Sequence, residues 1–193
     1  PRSAGAGRIT SDNWWQVIQQ PGVRVGHSDP ALDPAGYRAL LVYQLAEQYY
    51  RQPGLAQRLA ALTTPAYLRP KSSDLTALLQ TGELDYAWTY RSSAETAGLR
   101  YVELPDALNL SDPELASRYA EATVRIPRPG GGHDSLTIRG APIVFGAVVP
   151  LGAANAEAGR ALLALLLSPA GQQVLTGAGF LPINPPAEDS PRQ

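Results

Sequence analysis

Cysteine is absent from the 193-residue chain, which excludes disulfides, thiolate metal sites and cysteine nucleophiles while leaving the compartment open. Methionine is absent as well, so the chain does not open on a start codon and reads as a processed product, a fragment or a trimmed piece. Lysine occurs once, at Lys71, and arginine carries nearly all the remaining positive charge. That usage, with abundant alanine, glycine and proline, reflects a GC-rich genome and points to no function. The formal net charge of -1 gives no electrostatic case for nucleic acid or an anionic membrane. Long apolar runs are missing too: the longest, "ALLALLL" at 161–167, is far too short to span a bilayer, and no signal peptide is visible.

What is present is globular in composition, with 44% hydrophobic and 17% charged residues. The length suits one sizeable core or two small lobes. "TSDNWWQVI" predicts a short helix capped by Asp12 or Asn13. "VRVGHS" (23–28) alternates and predicts a strand, and apolar residues at Leu40, Leu41, Leu45 and Tyr49 then mark one helix face. A further helix, "LAQRLAAL", follows the Pro53–Gly54 break. "AYLRPK", "LDYAWTY" and "LRYVELP" predict strands. "SSDLTALLQTG" predicts a helix capped by Ser72 or Ser73 and closed by Gly82, and "SSAETAG" one capped by Ser92 or Ser93. Strands thus alternate with helices from 23 to 104, the pattern of a parallel sheet with crossover helices.

Beyond that point the pattern changes. "ATVRI" and "SLTIRG" read as two extended segments around a "PRPGGGHD" tip, and "PIVFGAVVP" (142–150) as a long apolar strand. Two helices follow, with Pro169 suited to the first turn of the second. The end, "PPAEDSPRQ", is a polar tail.

Open parallel sheets bind ligands where strand C-termini meet helix N-termini. Three such turns offer Asp33, then Ser72 with Ser73, then Tyr90 with Ser92 and Ser93. Their helix starts could jointly donate N–H groups to one oxyanion. Each residue also has a structural explanation, since Asp and Ser cap helices in any α/β protein. His27 reads as a strand-end packing residue and His133 as a solvated loop residue; Glu83 and Asp85 read as turn residues facing solvent. No metal-ligand spacing, nucleophile elbow or phosphate loop occurs, and "GGGHD" lacks the strand-before, helix-after setting such a loop needs. The sequence presents no catalytic set, so an enzyme is not expected.

The order of the motifs carries a resemblance. "VGHSDPALDPAGYRALLV", "RPKSSDLTALLQTGELDYAWTYRSSAETAGLRYVELPDALNLSDP", "GAPIVFGAVVP" and "ALLLSPAGQQVL" with "GFLPINPP" resemble the tungstate/molybdate-binding proteins of ABC importers, tungstate-type subfamily, from about residue 12 to 186. The resemblance implies an α/β, periplasmic-binding-protein type II-like lobe with a parallel-rich sheet and crossover helices, plus a C-terminal segment of a second lobe. It implies a linker and hinge-region helix over 1–20, the ligand-binding lobe over 21–139, a return strand and helices over 140–186, and a polar tail over 187–193. It also implies an extracytoplasmic protein that delivers tungstate or molybdate to a membrane permease, with that anion as ligand and no cofactor.

In that family the Asp of "DP.GYR" and a Glu after "RPK" face the metal, and a Tyr donates its hydroxyl. By motif these positions are Asp33, Ser72 and Tyr90, with Asp33 as the metal-facing ligand. Ser72 departs from the family's Glu, so recognition by hydrogen bonds is expected instead of a second carboxylate. About the first hundred residues of the family are also without a counterpart here. The apolar faces of "PIVFGAVVP" and "ALLALLL" then lack their usual cover, so either another polypeptide covers them or the remnant has repacked. The rival reading is a lobe that no longer binds and serves as a structural or protein-interaction subunit.

Overall fold

Residues 6–128 and 134–182 are described by the computed structural model of the chain. In chain order the helices and strands are α1 (Trp14–Val17), β1 (Val25–Ser28), α2 (Pro34–Tyr49), α3 (Leu55–Ala60), β2 (Leu68–Arg69), α4 (Ser72–Thr81), β3 (Tyr86–Ala87) and α5 (Arg91–Thr96). Then come α6 (Asp106–Asn109), α7 (Ala116–Tyr119), β4 (Thr123–Pro127), β5 (Ser135–Arg139), α8 (Ala156–Leu167) and α9 (Pro169–Gly177). The result is a mixed α/β fold of two compact units. The first holds residues up to Tyr90 together with Tyr101–Val144; the second holds Arg91–Arg100 and the chain from Phe145 onward.

In the first unit, three parallel strands lie in the order β2-β1-β3. β1 is central and pairs His27 with Leu68 on one side and Val25 with Tyr86 on the other. All four of its residues are buried, as a strand covered on both faces requires. Gly26 is demanded there: a Cβ would lie 2.8 Å from both the Leu84 side chain and the Tyr67 carbonyl oxygen. His27 packs at the strand end as expected, its ring Nδ1 2.7 Å from the Ser28 carbonyl oxygen.

The core gathers on α2, whose Ala39, Leu41, Val42, Tyr43, Leu45 and Ala46 are buried with Leu55 and Leu59 of α3, Leu108, Tyr119, Val124 and Ile126. Tyr49, expected on the same face, is instead 44% exposed because it lies in the last turn, beyond the packed surface. Trp88, directly after β3, packs edge-on against both Trp14 and Tyr43 with ring centres 5.4 and 5.2 Å away. β4 and β5 form an antiparallel hairpin, as predicted, and Gln44 of α2 holds it by bonding both backbone groups of Thr123. The tip of that hairpin, with His133, lies outside the described residues.

Four sequence expectations are corrected. No strand forms at 99–105 or 142–150, although the second run is apolar throughout. A strand needs a neighbouring edge to pair with, and among the described residues the second run makes isolated bonds, such as Ile143 N–H to the Leu110 carbonyl at 2.8 Å, and no strand ladder. Asp85 is buried instead of solvated, because it accepts three bonds from Arg24: backbone N–H and Nε at 2.9 Å to one oxygen, Nη2 at 3.1 Å to the other. Ser92 and Ser93 do not cap α5, which already starts at Arg91.

The second unit is built on α8 and α9. Asn155 and Ser168 cap these helices through their side chains, and Pro169 occupies the first turn of α9. Their apolar residues remain largely uncovered: Leu162 and Leu165 are each 57% exposed, and Val174 is 73%. Among the described residues no helix is long and apolar enough to cross a membrane.

Candidate functional site

The three parallel strands each run directly into one of the predicted site residues. β1 ends at Ser28 and leads to Asp33; β2 ends at Arg69 and leads to Ser72; β3 ends at Ala87 and leads to Tyr90. All three therefore stand at the carboxyl edge of the sheet, where β1 is flanked on both sides.

The first turn is built tightly. Asp29 accepts the Ala31 N–H on Oδ1 and the Leu32 and Asp33 N–H groups on its carbonyl. Its own N–H extends the sheet by donating to Arg69 at 2.7 Å. Gly36 lets the start of α2 press onto this turn: a Cβ there would sit 2.1 Å from the Ser28 carbonyl oxygen.

Asp33 is the N-cap of α2, with Oδ1 accepting the Ala35 N–H at 2.9 Å. Its other oxygen accepts the Ser72 N–H at 2.6 Å, from the first residue of α4. One carboxylate thus joins two helix starts that are 39 residues apart in sequence. Ser72 is accordingly not a side-chain cap, as the sequence suggested; Lys71 occupies the cap position, and Asp33 supplies the missing acceptor from outside.

Burial raises the Asp33 pKa, but the two N–H bonds, with the Ser72 and Ser28 hydroxyls, more than offset this and hold it below the ordinary value. Asp33 is therefore ionised at neutral pH. Ser28 is fully buried, and its hydroxyl acts on the carboxylate without reaching full hydrogen-bond geometry. The N–H groups expected to meet a bound anion are, at Ala35 and Ser72, already committed to Asp33.

Tyr90 lies within electrostatic reach of Asp33 but makes no bond to it; its hydroxyl oxygen accepts from Arg38 Nη1 of α2. Burial raises its pKa against the opposing pull of Arg38, so the phenol stays protonated and able to donate. Arg38 was not singled out in the sequence, although it closes the "DPAGYR" motif and lies five residues beyond Asp33. Among the described residues no group of three His, Asp or Glu side chains could hold a metal ion. An open hollow of about 330 Å³ elsewhere in this unit, lined by Tyr43, Gln44, Gln57 and Arg125 among others, includes none of Asp33, Ser72 and Tyr90.

The arrangement sets a protonated phenol and a guanidinium within electrostatic reach of the ionised Asp33. Comparisons with known proteins agree with a binding role. The sequence profile of the family described as "Bacterial extracellular solute-binding protein" matches residues 3–181. An uncharacterized solute-binding protein of Petrotoga mobilis is 39% identical over 92% of this chain and 55% of its own length. The molybdate/tungstate-binding protein WtpA of Thermococcus kodakarensis is 33% identical over 91% of this chain and 53% of its own. That of Pyrococcus abyssi is also 33% identical, over 84% and 52%. The chain spans about half the length of the curated relatives it matches. With the profile covering all but the two ends, the chain belongs to the bacterial extracellular solute-binding protein family, a family of binding proteins and not of enzymes.

Proposed function

We propose that this chain is part of an extracytoplasmic protein that binds a tetrahedral metal oxyanion, tungstate or molybdate, and delivers it to the permease of an ABC importer. The observation that carries this reading is the Asp33 carboxylate held at 2.9 and 2.6 Å by the starts of two helices, beside a protonated tyrosine. A carboxylate has about four lone-pair positions, so two N–H bonds leave room for a further contact to a high-valent metal. The Tyr90 hydroxyl then donates to one oxo group, and the Ser72 hydroxyl, which acts on Asp33 in the free chain, turns to another when the metal takes up the carboxylate. Two relatives named as molybdate/tungstate-binding proteins support the same choice of ligand.

Ser72 in place of a second carboxylate makes the site less negative, which favours capture of a dianion through hydrogen bonds. The uncovered apolar residues of α8 and α9 fit a role for further polypeptide, which would bury them and complete the protein around the ligand. A thermal-shift series on the natural full-length protein tests the reading. A ligand that binds only the folded state at about 100 times its Kd adds about 2.7 kcal/mol of stability. Tungstate and molybdate should raise the melting temperature, and sulfate should do so far less. Equal or absent shifts with all three would reject the assignment.

A further inference from the structure

Arg38 is half-buried on α2, and among the described residues it has no carboxylate at ion-pair distance. Instead it is held by two tyrosines. Nη1 donates to the Tyr90 hydroxyl, and the guanidinium carbon lies 5.5 Å from the Tyr90 ring centre and 5.7 Å from that of Tyr37. Both rings offer the cation their negative faces. A partly buried arginine without an anionic partner is costly unless something completes it.

The direction of the Arg38–Tyr90 bond decides what the phenol can do. A guanidinium has donors and no acceptor, so the Tyr90 oxygen must accept from it. The phenol's own proton is then left free to point elsewhere. A cationic donor also polarises the O–H bond and strengthens it as a donor to a third group. The nearby backbone N–H groups of Ala35 and Ser72 are occupied by Asp33, which raises the value of side-chain donors to an arriving anion.

We propose that Arg38 is a positioning residue of the anion site: it fixes Tyr90 as a hydrogen-bond donor to the bound oxyanion. The inference rests on the oxyanion reading above and adds to it a residue that acts through Tyr90. The raised Tyr90 pKa agrees, because a phenol kept protonated has a proton to donate.

The test is a double-mutant cycle on the natural full-length protein, with sodium tungstate binding read by calorimetry. Arg38→Gln should weaken binding by about 10- to 100-fold, the loss of one charge-assisted contact. Arg38→Lys, which keeps the charge but not the planar fork, should recover part of it. In a Tyr90→Phe background, Arg38→Gln should change affinity by no more than about threefold, because the group it acts through is gone. A second readout needs no ligand: the Tyr90 ring-carbon signal in a 13C-tyrosine sample should titrate at higher pH in Arg38→Gln, since the cation no longer favours the phenolate.

Several results would overturn the proposal. Wild-type binding retained in Arg38→Gln removes the Arg38 role and leaves the oxyanion reading intact. Additive losses in the cycle mean that Arg38 meets the anion directly and does not act through Tyr90. An unmoved Tyr90 titration denies the coupling itself. No oxyanion binding by the wild type removes the oxyanion reading, and this role with it. The lysine variant keeps the question answerable should the glutamine variant fold poorly.

Discussion

The Asp33 carboxylate accepts the Ser72 backbone N–H at 2.6 Å, so a single side chain closes the first turn of α2 and the first turn of α4 together. The two turns follow adjacent parallel strands, which the Asp29 N–H also ties together by donating to the Arg69 carbonyl. Asp33→Asn keeps the shape but presents an amide that can accept on only one side. One helix-start N–H would then face another donor. The expected loss is about 1–3 kcal/mol of folding stability, read by urea unfolding.

Acid should weaken the protein in two stages. Burial drives the His27 pKa below its ordinary 6.5, outweighing the Ser28 carbonyl contact and the charge of Asp29. Asp33 also titrates below its ordinary 3.8, since its hydrogen bonds outweigh the opposing effect of burial. In both cases the unfolded chain binds the proton more readily, so the stability from each group is full above the ordinary value. It is lost as pH falls through the folded value. Unfolding free energy should therefore decline below about pH 6.5 and again below about pH 3.8. The first decline should be shallower in His27→Gln and the second in Asp33→Asn, by chemical denaturation across pH.

Gly36→Ala should damage the site through the backbone. The new methyl would lie 2.1 Å from the Ser28 carbonyl oxygen and 2.8 Å from Asp29 C and Pro30 N. No flexible side chain can give way there, so α2 must lift from the turn. A loss of about 1–3 kcal/mol is expected, together with weaker oxyanion binding. Gly82→Ala serves as the comparison: it carries the strain of a left-handed φ of 80° but meets no neighbour, and it should leave binding unchanged.

Ser72→Glu introduces the carboxylate that the family resemblance implies after "RPK". A second negative group beside ionised Asp33 should lower the stability of the ligand-free protein. It should also sharpen selectivity, because a carboxylate can coordinate tungsten or molybdenum but only repels sulfate. The expected change is about tenfold or more in the tungstate-to-sulfate affinity ratio, measured by competition.

Much of this organisation was legible in the residues. The alternation of strand and helix patterns from 23 to 96 marks the parallel sheet, while the strand expected at 99–105 does not form, and Asp33 before Pro34 marks the start of α2. Gly82 and Pro169 mark helix ends because their backbone constraints are local. What sequence could not show was pairing at a distance. Asp33 reads equally well as a local cap or as a ligand, and only the fold brings Ser72 to it. Asp85 looks like a turn residue until Arg24, 61 positions away, is seen to hold it. Arg38 looks like an ordinary helix-surface cation, since nothing local says that Tyr90 will accept from it. The apolar run at 142–150 has strand composition but no strand beside it, and composition alone does not supply a partner.

The most direct test of the central claim is calorimetric titration of the natural full-length protein with tungstate, molybdate and sulfate, repeated on Asp33→Ala after circular dichroism shows it folded. The account predicts submicromolar binding of tungstate or molybdate, much weaker binding of sulfate, and loss of the metal oxyanion signal in Asp33→Ala. Tight binding that survives Asp33→Ala would contradict the site, and no heat from any oxyanion with the wild-type protein would contradict the function.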